Sequence, residues 1–218
     1  MKIPRICAAI VDKDLEAVNE VRPLVDLFEV RIDLIGDGWQ ELVKQLGQPW
    51  IACNRRADEG GRWQDDEGSR IAELLKAVEL EADIIDVELR TRNLEKVISM
   101  IGKRVKCLLS YHDLAKTPSL DSMREVIQRQ LTAGADICKI VTTAQSFDDN
   151  LTILQLITEF PKTKIVSFAM GPLGLVSRVL CPLFGGDFTY ASTKIGRESA
   201  PGQITVRELR KLYEMMAR

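Results

Sequence analysis

Residues 105–143, VKCLLSYHDLAKTPSLDSMREVIQRQLTAGADICKIVTT, decide the fold. The run at 105–113 is apolar and strand-like, residues 123–133 repeat their apolar positions at helical spacing, and a second strand-like run follows at 137–143. Strand, helix, strand in that order is one crossover unit, and both strands carry polar residues: Ser110-Tyr111-His112-Asp113 ends the first, and Lys139 interrupts the second.

Outward from this unit the alternation continues in both directions. Further strand-like runs occupy 3–10, 27–33, 50–55 and 83–89 on one side and 164–170 and 188–192 on the other, making eight. Helical spacing at 14–24, 71–81, 94–101, 151–160 and 206–216 fills the intervals, and Thr205 with Glu208 reads as a capping box opening the last helix. Strictly alternating elements require parallel strands with crossover helices, and eight of them in 218 residues favour an α/β fold, a (β/α)8 TIM barrel in a single domain over 1–218. An open doubly wound sheet is the competing arrangement. It is disfavoured because no G-x-G-x-x-G or Walker-type loop follows any strand.

Composition narrows the function. Apolar residues make up 45% and charged residues 28%, enough to bury a core. With 30 basic and 32 acidic residues and a net charge of -2, the chain has no electrostatic footprint for nucleic acid or an anionic membrane, so a small molecule is the expected partner. The longest apolar stretch, 165–177, is too short for a membrane span and is broken by Gly171, Pro172 and Gly174. Residues 1–10 begin strand-like and lack the sections of a secretory signal, so a cytoplasmic location is expected. The five cysteines, with no C-x-x-C spacing, read as reduced core residues. One histidine, no clustered ligands and no nucleotide loop imply no metal and no cofactor.

Barrel enzymes build their sites at the C-terminal ends of strands. Phe28-Glu29-Val30-Arg31-Ile32-Asp33, read as strand, puts three charges on one face, where they are either an ion pair of Glu29 with Arg31 at the barrel mouth or a ligand site. The third strand ends at Asn54-Arg55 and enters the polar loop 56–68, and the part nearest the strand, 55–59, is the site candidate. His112, the sole histidine, stands at a strand end where an imidazole can exchange protons near neutral pH. Lys139 lies mid-strand, where its stem either packs while the ammonium reaches a partner or the amine serves as a Schiff-base nucleophile. A free lysine is neutral in only about one molecule in 2,500 at pH 7, so a desolvated site near other cations, lowering its pKa by ~3 units, is expected.

Taken together, Glu29-Val30-Arg31-Ile32-Asp33, Arg55 with Glu59-Gly60-Gly61, Ser110-Tyr111-His112-Asp113, Lys139, Ser177-Arg178 and Ser199-Ala200-Pro201-Gly202-Gln203 resemble the type I 3-dehydroquinate dehydratases of the shikimate pathway. The resemblance runs from the first strand to the terminal helix. It implies a hydro-lyase acting on 3-dehydroquinate, with Lys139 forming the imine, His112 moving protons and Glu59 orienting the imidazole. It also implies that Glu29, Arg31, Arg55, Arg178, Ser199 and Gln203 bind substrate, Arg178 through the carboxylate, that 199–203 forms a closing loop, and that the enzyme is a homodimer. Gly186-Asp187 and Ala8-Ala9 depart from the family pattern and bear on fine substrate contacts. Two other readings of the same residues are a Schiff-base aldolase or transaldolase, for which Gly171-Pro172-Leu173-Gly174 and Gly185-Gly186 would hold phosphate, and a non-catalytic barrel that binds a ligand.

Overall fold

The structure, a computed structural model, describes residues 3–217. Eight parallel strands, β1 Ile6–Ile10, β2 Leu27–Arg31, β3 Trp50–Cys53, β4 Ile84–Glu88, β5 Lys106–His112, β6 Ile137–Thr143, β7 Ile165–Met170 and β8 Thr189–Ser192, run in chain order round a barrel. β1 pairs with both β2 and β8, so the ladder covers every neighbour except β7 with β8. Packing spans that seam, with Phe168 edge-on to Tyr190 at 5.9 Å between ring centroids. The fold is thus a nearly closed (β/α)8 barrel, as the alternation implies. Met1 and Lys2, at the start of the stretch read as strand-like, lie outside the described residues.

The helices are α1 Leu15–Val21, α2 Ile32–Ile35, α3 Trp39–Val43, α4 Glu67–Glu79, α5 Leu94–Ile101, α6 Leu120–Thr132, α7 Asp148–Glu159, α8 Leu175–Leu180 and α9 Val206–Met216. The capping box of Thr205 and Glu208 is formed. Period-two alternation divides the core. Cys7, Leu27, Ile51, Ile84, Leu108 and Ile137 fill the barrel floor, and the outward residues of the same strands pack on the helices.

Two expectations change here. β2 stops at Arg31 and α2 begins at Ile32, so Asp33 stands on a helical turn beyond the strand. The segment 32–43 folds into two short helices, punctuated by Gly36 and Gly38 at positive φ, that apolar spacing did not reveal. Among the described residues, no helix is long and apolar enough to cross a membrane.

Candidate active site

Lys139 occupies the centre of β6 with its side chain in the barrel, where it is 4% exposed. Its Nζ donates to Asp86 Oδ2 at 2.9 Å, to Tyr190 Oη at 3.1 Å and to Glu29 Oε1 at 3.2 Å, which uses all three protons of an ammonium. The expected depression of this lysine by neighbouring cations does not hold. Burial pushes its pKa down, but Asp86 and Glu29 outweigh burial and hold it above the ordinary value.

Asp86 is itself tightly held. Arg55 Nη2 reaches its Oδ2 at 2.6 Å and Ser110 Oγ donates to Oδ1 at 2.6 Å, while Arg55 Nη1 bonds Glu88 at 3.0 Å and Ser110 at 2.6 Å. Glu88 in turn accepts from Arg70 Nη1 at 2.7 Å. Lys139, Arg55 and Arg70 thereby face Glu29, Asp86 and Glu88, three cations against three anions inside the barrel wall. Burial works against the Asp86 carboxylate, but Arg55 and Lys139 prevail and hold its pKa far below the usual range. Glu29, Cys53 and Asp86 place potential metal-ligand atoms within 4.8 Å of one another. Lys139 already bonds both of those carboxylates, and Arg55 Nη2 bonds both Asp86 and the Cys53 sulfur.

The ion pair considered between Glu29 and Arg31 is not formed. Glu29 turns to Lys139, and Arg31 grips Asp33 with two bonds, Nε to Oδ1 at 2.9 Å and Nη2 to Oδ2 at 2.7 Å. The early end of β2 causes the exchange, because the turn of α2 swings Asp33 back onto the guanidinium.

His112 ends β5. Across the β5–β6 ladder Ser110 is level with Lys139 and His112 with Val141, so the imidazole stands two residues, ~6–7 Å of strand rise, nearer the mouth. Its Nδ1 lies 2.9 Å from Glu59 Oε2, which also accepts from the His112 backbone N–H at 3.1 Å. Burial, with the positive charges of Arg55 and Lys139, keeps the imidazole neutral well below its usual titration range. Burial also raises the Glu59 carboxyl to about 7. Once Glu59 ionises, it holds the proton on Nδ1 and leaves Nε2 as a bare base.

Arg178, on α8, is buried over the face of Phe168 with its guanidinium carbon 4.2 Å from the ring centroid. Its Nε and Nη2 have no hydrogen-bond partner among the described residues, and burial lowers its pKa to about 10. Above it the loop between β8 and α9 folds inward. Pro201 carbonyl accepts from Gly171 N at 3.0 Å, Ser199 carbonyl accepts from Arg31 at 3.4 Å, and Gln203 Oε1 accepts from Ser199 N at 2.8 Å. Gly202 makes this seating possible: its φ is +76°, and a Cβ there would stand 2.3 Å from the Gly171 carbonyl oxygen. All nine residues singled out from the sequence line one cavity of about 280 Å³ at the C-terminal ends of the strands.

The sequence model of the type I 3-dehydroquinase family matches residues 6–218. The chain belongs to that family. Among relatives of the type I 3-dehydroquinases, the 3-dehydroquinate dehydratase of Dehalococcoides mccartyi is 41% identical over 213 residues, covering 98% of this chain and 96% of its own. That of Methanocaldococcus jannaschii is 35% identical over 210 residues, covering 94% of each chain. Among solved structures, the type I 3-dehydroquinate dehydratase of Clostridium difficile superposes with a TM-score of 0.87 at 25% identity, over 98% of this chain and 92% of its own. As a type I 3-dehydroquinase the chain is a hydro-lyase, a 3-dehydroquinate dehydratase.

Sequence reasoning passed over Asp86, Glu88, Arg70 and Tyr190. The two acids on β4 were the available signal, since a buried strand bearing carboxylates at alternate positions demands cations from its neighbours. Tyr190 gave no such signal, because a tyrosine in an apolar strand is unremarkable until its hydroxyl meets a lysine.

Proposed function

We propose that this chain converts 3-dehydroquinate to 3-dehydroshikimate in the shikimate pathway through a Schiff base on Lys139, with His112 as general acid and base. The observation that carries the reading is one cavity lined together by a buried lysine, a neutral imidazole oriented by a carboxylate, and a guanidinium whose Nε and Nη2 have no partner among the described residues. A cyclic keto acid has complementary groups: a carboxylate for Arg178, a ketone for Lys139 and an acidic C–H beside it for His112.

Lys139 must lose a proton before it attacks. Glu29 is the acceptor in reach, because Asp86 is committed to Arg55 and Ser110. Addition to the ketone and loss of water give the iminium, a far better electron sink than the ketone. His112 Nε2 then takes the proton from the neighbouring carbon, giving an enamine. The same imidazolium returns its proton to the β-hydroxyl as that group leaves as water, the carbon–carbon double bond forms, and hydrolysis of the product iminium frees Lys139. Net loss is one water.

In this reading Arg178 grips the carboxylate by two parallel bonds. Glu29, Ser199 and Gln203 meet ring hydroxyls, Arg31 and Arg55 complete the cationic side, and the 199–203 loop closes over the substrate. The four Nη protons of Arg55 go to protein, so only its Nε–H faces substrate. That the Clostridium difficile relative was solved with covalently modified comenic acid supports a covalent site in the family. Borohydride trapping with 3-dehydroquinate, followed by peptide mapping, tests the reading. An adduct on Lys139 is expected; no adduct, or one on another lysine, overturns it.

Two copies are further inferred to associate through the face bearing Phe147 and Leu151 at the start of α7, which are 64% and 65% exposed. Sedimentation equilibrium of wild type and Leu151→Lys checks this, with a dimer turned monomer expected and a monomeric wild type refuting it. The single 1–218 catalytic domain and the cytoplasmic setting belong to the same proposal. The five buried free thiols are consistent with a reducing compartment.

A further inference from the structure

We infer that Asp86 is the fixed counter-ion of the Lys139 nitrogen throughout the reaction, and that Arg55 is a positioning residue that holds Asp86 for that task. This deepens, and rests on, the Schiff-base reading. The geometry is a buried chain of short contacts. Lys139 Nζ lies 2.9 Å from Asp86 Oδ2, the same oxygen lies 2.6 Å from Arg55 Nη2, and Ser110 Oγ pins the other oxygen at 2.6 Å. The groups facing the nitrogen are Glu29 from β2, Cys53 and Arg55 from the end of β3, Asp86 from β4, His112 from β5 and Tyr190 from β8. Two of these are anions beside the nitrogen, but among the described residues only Asp86 is clamped on both oxygens by protein donors.

Charge bookkeeping along the reaction gives the clamp its purpose. Ammonium plus ketone yields iminium plus water with the nitrogen positive on both sides, so a fixed anion serves both states equally. Proton transfer from carbon to His112 then makes the nitrogen neutral in the enamine. Expulsion of the hydroxyl, protonated by His112, restores the positive charge. Positive charge therefore grows 2.9 Å from Asp86 in the elimination step, and a pre-placed, non-reorganising carboxylate lowers that barrier. A mobile carboxylate would instead take the nitrogen's proton, as proposed for Glu29. One bond from Arg55 and one from Ser110 keep Asp86 strongly acidic and unsuited to that role.

Two measurements test the inference, the first independent of any Schiff base. In substrate-free protein carrying isotope-labelled lysine, the Lys139 signal, assigned by its loss in Lys139→Arg, is titrated by NMR. Asp86→Asn is expected to make the ammonium roughly tenfold to a thousandfold more acidic, and Arg55→Gln, by removing a competing cation, less acidic. Opposite signs are not the result of general loosening. An unchanged titration in folded Asp86→Asn, or shifts of the same sign in both variants, overturns the inference.

The second measurement compares deuterium exchange into recovered 3-dehydroquinate with dehydration. Asp86→Asn should raise the ratio of exchange to turnover at least about tenfold, because the enamine still forms but eliminates slowly. An unchanged ratio with both rates reduced also overturns the inference. A normal Lys139 titration shift with no borohydride adduct in wild type would mark failure of the Schiff-base reading alone.

Discussion

Replacing Arg178 by methionine should weaken substrate handling and leave the fold about as stable as before or more so. The reason is that Nε and Nη2 of this buried guanidinium have no partner among the described residues. Charge-assisted hydrogen bonds contribute ~1.5–3 kcal/mol each, so two lost from the substrate carboxylate amount to roughly 3–6 kcal/mol, a fall of about a hundredfold to ten-thousandfold in kcat/KM. On the stability side, a buried unsatisfied charged group costs ~1–3 kcal/mol, offset by ~0.5–2 kcal/mol of attraction to the Phe168 face. Methionine fills similar space, and the Thr189 hydroxyl bond survives because it ends on the Arg178 backbone carbonyl. The net runs from about 1 kcal/mol of destabilisation to about 2.5 kcal/mol of stabilisation, a Tm change of about -4 to +10 °C at ~2–4 °C per kcal/mol for a chain of this length. Thermal unfolding by circular dichroism and steady-state kinetics on 3-dehydroquinate check both halves. An undiminished kcat/KM, or a Tm lowered by more than about 4 °C, refutes the reasoning.

Three further expectations concern the proton path and the loop. With the Glu59 carboxyl raised to about 7, kcat/KM should rise with pH through that value as ionised Glu59 bares Nε2 of His112. In Glu59→Gln the limb near neutrality should vanish from the pH profile, and its persistence would assign the limb elsewhere. His112→Ala should lower kcat by roughly 100- to 10,000-fold while borohydride still traps an imine on Lys139, which intact mass spectrometry reads directly. Gly202→Ala should raise KM several-fold with little change in Tm, since the added Cβ, 2.3 Å from the Gly171 carbonyl oxygen, unseats only the loop. An unaltered KM would show that the loop is not engaged with substrate.

The barrel was legible because its signal is local. Alternating strand and helix patterns persist through eight units, and 137–143, 94–101 and 206–216 match their elements residue for residue. Several helices begin a turn earlier than their apolar spacing suggests, as in α4 and α6, because polar first turns capped by Asp66 and Ser119 carry no apolar period. Site positions were legible for a similar reason, since strand ends converge in any such barrel. Pairing was not. Whether Glu29 meets Arg31 or Lys139 depends on where β2 stops and on a strand 110 residues away. The acid–base character of Lys139 was misjudged through its neighbours, because Asp86 on β4 enters its environment only once the barrel closes.

The network of three cations and three anions bears on how the barrel assembles. Lys139 finds Asp86 53 residues away and Glu29 110 residues away, and Arg55 finds Glu88 33 residues away. A half-built barrel lacking β6 would leave Asp86 and Glu29 without their lysine, and one lacking β4 would leave Arg55 without either of its carboxylates and Lys139 with Glu29 alone. Partly folded forms are penalised on that account, beyond the apolar surface they expose. β2 to β6 should therefore lose amide protection in hydrogen exchange as one block, with the ion cluster acting as a checkpoint for cooperativity across strands far apart in sequence.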